Sequence, residues 1–139
     1  MANGKSDYLE GKVLDHLFGI ASFTVPGTVY VGLHKGDPTD TGSSGTEVSG
    51  GSYARQSITN DATGWSRTSS TVSNDNAVTF PTPTADWATS GNEVTHVTVW
   101  DASSAGNLLY SAQLTAPLII LNGGPQVSFA AGQLQFTED

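Results

Sequence analysis

Cysteine is absent from the 139-residue chain. Disulfides, thiolate metal sites and thiol nucleophiles are therefore excluded. Positive charge is also scarce. Lys5, Lys12, Lys35, Arg55 and Arg67 are the only cations, against 13 acidic residues, and the formal net charge is −8. Nucleic-acid binding draws affinity from cations that neutralise phosphates, and binding to anionic membranes needs the same groups. A chain without Lys or Arg after Arg67 is suited to neither. No apolar run approaches the roughly 20 residues of a membrane-spanning helix. The opening Met1-Ala2-Asn3-Gly4-Lys5 leads into polar residues and does not read as a signal peptide.

What is present is Ser, Thr, Asn and Gly. A surface of such residues is cheap to order against a neighbour, because Lys, Arg and Glu are the side chains with most rotamer freedom to lose. That suits a free-standing β domain, and it suits a subunit packed among copies.

One helical period occurs. Ser6 or Asp7 can cap a helix of about residues 6–19, and Asp7 with Glu10 fits a variant of the capping-box spacing. Leu9, Val13 and Leu17 fall at i, i+4 and i+8, with Leu14 and Phe18 beside them, which makes one apolar stripe. Gly11 weakens this helix by about 1 kcal/mol relative to Ala, and Gly19 is placed to end it.

From about residue 28 the period changes to two. Val29, Val31 and Leu33 point one way, Tyr30 and His34 the other. Further strands are expected over 53–59, at Val78 and Phe80, over 93–100 and 108–114, and at Leu134 and Phe136. Segment 93–114 reads as a hairpin about a Gly/Ser turn. Residues 118–130, with Asn122-Gly123-Gly124, read as another. About eight short strands, with a helix preceding them and no βαβ alternation, predict a mainly β fold. The expected architecture is an antiparallel, jelly-roll-like β-sandwich with one N-terminal α-helix, in a single domain over 1–139.

Chemical motifs are weak. Asp40-Thr41-Gly42 matches the aspartic-protease loop, but that chemistry needs a second carboxylate about 3 Å away in a dry setting. Asp37, Asp40 and Glu47 lack EF-hand spacing, and a solvated turn is expected at Asp37–Asp40. His16, His34 and His96 are too dispersed for a zinc motif. Asp86, Glu93 and Asp101 offer no paired glycosidase carboxylates. No Gly-x-Ser-x-Gly elbow or phosphate loop occurs. Hence no catalytic residue, metal or cofactor is expected, and no enzyme. Trp65, Trp87 and Trp100 are core or interface anchors unless exposed, when an indole can stack on a sugar ring. Trp65 and Trp87, with Asp37 and Asp40, are the candidate surface or ligand contacts.

The segments "SDYLEGKVLDHLFG", "TVYVGLHKGDPTD", "GTEVSGGSYARQSI", "AVTFP", "VTHVTVWDASSAGNLLYSAQL" and "VSFAAGQLQFTED" together resemble a family of short virion structural proteins of tailed bacteriophages. Its members are usually labelled tail-fibre proteins, and related small β-sandwich proteins serve as head decoration or cement. The resemblance implies a virion protein assembled in the host cytoplasm and held by many weak repeated contacts. An outer-capsid cement or decoration subunit, homotrimeric, is the reading preferred from sequence, and a tail-fibre or baseplate-associated protein is the alternative. A carbohydrate-binding module is the alternative outside this class. Expected partners are the major capsid protein or tail proteins, with a host glycan as a further one. Leu9, Val13, Leu17 and Phe18 are the candidate assembly contacts, packing either under the sandwich or onto a neighbour. Segment 35–51 reads as a long ordered loop between two strands, at a domain tip or subunit contact, and Arg55 on the strand that follows is a partner for Glu47 or a loop Asp, an exposed pair worth about 0–1 kcal/mol.

Overall fold

A computed structural model describes residues 3–138 of the chain. In chain order the elements are β1 (Asn3–Lys5), α1 (Asp7–Leu17), β2 (Thr28–Lys35), β3 (Thr46–Glu47), β4 (Gln56–Thr59), β5 (Trp65–Thr68), β6 (Thr71–Asn74), β7 (Val78–Thr79), β8 (Val94–Trp100), β9 (Leu108–Leu118), β10 (Ser128–Phe129) and β11 (Gln135–Thr137). The fold is mainly β, antiparallel throughout, and sandwich-like rather than a closed barrel.

The larger layer runs β1-β9-β8-β2, and both β3 and β4 then pair with the outer edge of β2. They lie end to end on that edge: β4 opposite Thr28–Val31, β3 opposite His34 and Lys35. Two smaller sheets, β5-β6-β11 and β7-β10, complete the sandwich. Val29, Val31, Leu33, Val97 and Val99 from the large sheet meet Val78, Phe80, Leu134 and Phe136 from the small ones in one hydrophobic cluster. The period-two pattern of β2 directs its valines into this core.

The Asn74 amide knots the second layer. Its Nδ2 donates to the carbonyls of Asn76 (2.8 Å) and Ala130 (3.1 Å), and its Oδ1 accepts from Leu134 N–H at 2.9 Å. A buried amide is tolerated because each of those groups is satisfied.

Several expectations need correcting. Of the two caps offered by the sequence, Ser6 is the one used: its Oγ accepts from Leu9 N–H at 3.2 Å, and Asp7 is the first helical residue. The helix is one turn shorter than 6–19 and ends at Leu17. Gly19, at φ +69°, donates to His16 O (3.3 Å) and Ile20 to Asp15 O (2.9 Å), the paired bonds of a Schellman stop. Segment 118–130 is not a hairpin. Ile120 pairs instead with Ala88, and β10 pairs with β7. Asn122 N–H bonds to Asp86 and Gly123 N–H to Pro83 O, so the Gly-rich turn runs along segment 83–88. Paired strand structure in segment 53–59 begins only at Gln56, and β1, β3, β5 and β6 were not read from the sequence.

Gly32 is demanded by close packing. A Cβ there would stand 2.8 Å from Thr98 Oγ1, 2.9 Å from Glu47 Oε1 and 3.1 Å from the Tyr53 hydroxyl. Gly32→Ala is expected to lose about 1–3 kcal/mol, read as a lower urea midpoint with unchanged slope. Gly27→Ala, whose Cβ would meet nothing within 4 Å, is the control and should leave the midpoint in place.

Candidate functional site

The segment between β2 and β4 folds back over the sheet. Because β3 and β4 do not abut, the Leu33 N–H on the edge of β2 faces no strand. The Tyr53 hydroxyl fills the gap, accepting from Leu33 N–H at 2.9 Å and donating to Glu47 Oε1 at 2.9 Å. Arg55 closes the arrangement. Its Nε and Nη2 donate to the two Glu47 oxygens, each at 2.8 Å, and its Nη1 donates to Ala102 O (2.8 Å) and Ala105 O (2.9 Å). The guanidinium carbon lies 4.1 Å from the centre of the Trp100 ring. One side chain thus ties β3, the end of β8 and the β8–β9 turn. The pair is not the exposed one expected, because the Arg55 and Glu47 side chains are only 5% and 25% exposed.

Trp87 is likewise not a surface tryptophan. It is 2% exposed, meets Tyr53 edge-on at 5.4 Å, and its Nε1 donates to Gly51 O at 2.8 Å. The turn at Gly50–Ser52 brings that carbonyl to it. Asp37 and Asp40 are both exposed. Asp37 Oδ1 accepts from Thr39 N–H at 2.8 Å in an Asx turn, and the Asp40 backbone carbonyl accepts from Asp7 N–H at 3.0 Å. Among the described residues no three His, Asp or Glu converge as metal ligands would.

Two buried groups have shifted protonation. Burial, and then the Glu47 charge, pushes the Tyr53 phenol far above its ordinary value of 10.0. His34 is held below its ordinary 6.5, chiefly by burial, against the raising effects of Ser44 O and Glu47. Its Nε2–H donates to Ser44 O at 3.1 Å, and its buried Nδ1 has no partner. His96 stands opposite it on β8, and His96 and Arg55 both disfavour a second positive charge. The neutral ring is therefore the one that fits, and it fastens the 36–45 loop.

The apolar stripe of α1 sits differently. Leu9 is half-buried and packs on the core, whereas Val13 is 42% exposed and Leu17 and Phe18 are each 70% exposed. The helix overhangs the sandwich instead of lying under it. Beneath its first turns is an apolar hollow of about 390 Å³ between the layers, bounded by Leu9, Phe23, Val25, Trp65, Val72 and Phe136. Trp65 stands in its wall, 6.2 Å from the Phe136 ring, and its indole N–H is buried without a partner. The polar stretch 60–70 that contains it supplies β5 and an Asp61–Thr63 turn.

These features define a cysteine-free β-sandwich with a rigidly held loop and an uncovered apolar helix. The model of the family Podophage GP4 fiber I protein gp80 matches residues 4–137, and the chain belongs to that family. It is thereby a member of a tailed-phage virion structural family. No curated protein matches the chain.

Arg55→Met leaves Glu47 and two carbonyls without their partner. It is expected to lose about 3 kcal/mol, the lower end of the range for a broken buried pair because Glu47 keeps some exposure. Glu47→Leu combined with Arg55→Met should recover part of that loss, and Tyr53→Phe should lose about 1–3 kcal/mol through the stranded Leu33 N–H. Urea unfolding of the three variants reads these values.

A second expectation concerns pH. Unfolded His34 takes up a proton near its ordinary 6.5, while the folded ring resists it. The His34 contribution is therefore complete above about pH 6.5 and falls as pH drops through that value toward the lower folded pKa. Unfolding midpoints at pH 7.5, 6.5 and 5.5 should fall in the wild type and fall less in His34→Gln.

Proposed function

We propose that the chain is a structural subunit of the phage tail fibre and acts through contacts with neighbouring virion proteins rather than through catalysis. The observation that carries this reading is the match to a fibre family along nearly the whole described chain. That description favours the tail over the capsid-cement role preferred from sequence alone. The geometry agrees in kind. The buried ionisable groups with disfavoured charge states, Tyr53 and His34, are both spent on holding the loop to the sheet. Much of the uncovered apolar surface lies on or just past α1, which suits adhesion between subunits. Glycan binding draws less support. Trp87 is an internal anchor, and the Trp65 ring packs on Phe136.

Gold-labelled antibody against the chain, applied to purified particles, tests the placement. Label on the tail is expected. Label distributed over the capsid surface would return the cement reading to first place.

A further inference from the structure

The chain carries an apolar projection and an apolar hollow, and neither is filled from within. The projection is the end of α1. Its Schellman stop leaves Ile20 where an apolar side chain would ordinarily pack back on the last turn, but the helical positions it faces include Asp15. Ile20 is 74% exposed, beside Leu17 and Phe18. The hollow lies beneath Leu9, and its wall includes Phe23 and Val25, the latter largely exposed.

We infer that the occupant of this hollow is the α1 end of a second copy of the same chain, with Phe18 as the inserted side chain and Leu17 and Ile20 at its flanks. Two observations favour a copy over an unrelated partner. First, size: Val13, Leu14, Leu17, Phe18 and Ile20, along the second half of α1 and just past its end, are all exposed large apolar residues. Together they present on the order of 600 Å², the upper end for a patch on a monomer and approaching the roughly 800 Å² that one partner gives to a standard interface. Second, charge: a chain of net charge −8 repels its copies, yet no Asp, Glu, Lys or Arg occurs from Leu17 to Leu33. The projection is uncharged from Leu17 on, and the two charged residues lining the hollow, Asp61 and Arg67, are of opposite sign.

The contact is heterologous, since projection and hollow are different surfaces. Such a contact closes into a ring or continues as a filament. The inference deepens the fibre reading and rests on it for its setting, since it supplies the subunit contact.

The test uses the full chain in sedimentation equilibrium at micromolar concentrations. The wild type is expected to self-associate. Phe18→Glu, which alters the projection, and Val25→Glu, which alters the hollow, should each weaken association by at least about 30-fold, the effect of losing a hot-spot residue. Ser66→Trp, at an exposed position lining the hollow, is a second hollow variant in case Val25→Glu unfolds. Near-UV circular dichroism confirms folding. Mixing Phe18→Glu with a hollow variant leaves one intact projection and one intact hollow, so a 1:1 dimer that grows no further is expected. A monomeric wild type, an associating Phe18→Glu chain, or a mixture that stays monomeric would each overturn the inference. Should a monomeric wild type still be found on the tail by antibody label, the fibre reading stands and only the self-contact falls.

Discussion

The outer edge of β2 is served by two short strands that do not meet, and the rest of the molecule is arranged around the gap between them. A continuous edge strand would satisfy Leu33 N–H through the ladder. Here Tyr53 supplies the acceptor from a side chain. A phenol can do so inside a protein only if its own proton has a strong acceptor, and Glu47 is that acceptor. A carboxylate so placed in turn needs a cation, and Arg55 meets it through two nitrogens. Each buried polar group thus makes the next one necessary, until the chain of demands ends on the β8–β9 turn and the Trp100 face.

This explains why β2 is buried on both faces toward its C-terminal end. Val31 and Leu33 face the sandwich core, while Gly32 and His34 face the folded-back loop. Room for Glu47 and Tyr53 above the sheet exists because position 32 has no side chain. The loop is therefore a third, partial layer. Its glycines and serines let the backbone approach closely enough for the Gly51 carbonyl to accept from both Trp87 and Thr84. Composition that looks like a flexible linker is here the means of close packing.

The sequence patterns were informative where one side of an element faces solvent or core throughout. The alternation of β2, the β8–β9 hairpin and the helical period of α1 were legible for that reason. Pairing between distant segments was not. Nothing local distinguishes Asn122-Gly123-Gly124 as a hairpin turn from the same residues led across by Asp86, because the deciding hydrogen bond comes from 36 residues away. Strands of two to four residues such as β3 and β6 carry too few alternations to register a period. For Trp87 the sequence left anchor and surface contact both open, and the choice is made by the Gly51 turn, which buries it. The Arg55–Glu47 partnership was legible as proximity in sequence. Its burial was not, because the covering turn at 101–107 is distant in the chain.

The helix poses the opposite problem. Around Arg55 the buried polar groups find partners within the chain, while in α1 the apolar side chains find few. Folding of the sandwich does not require Leu17, Phe18 or Ile20 to be apolar, since they touch little of it. Ser6 and Leu9 already fix the start of the helix against β9 and the core. An exposed large side chain weakens solubility without strengthening this fold. The polar network around Arg55 is complete in one chain, and the apolar surface of α1 is incomplete in one chain. That difference separates the part of the structure that makes a subunit from the part that joins it to its neighbours.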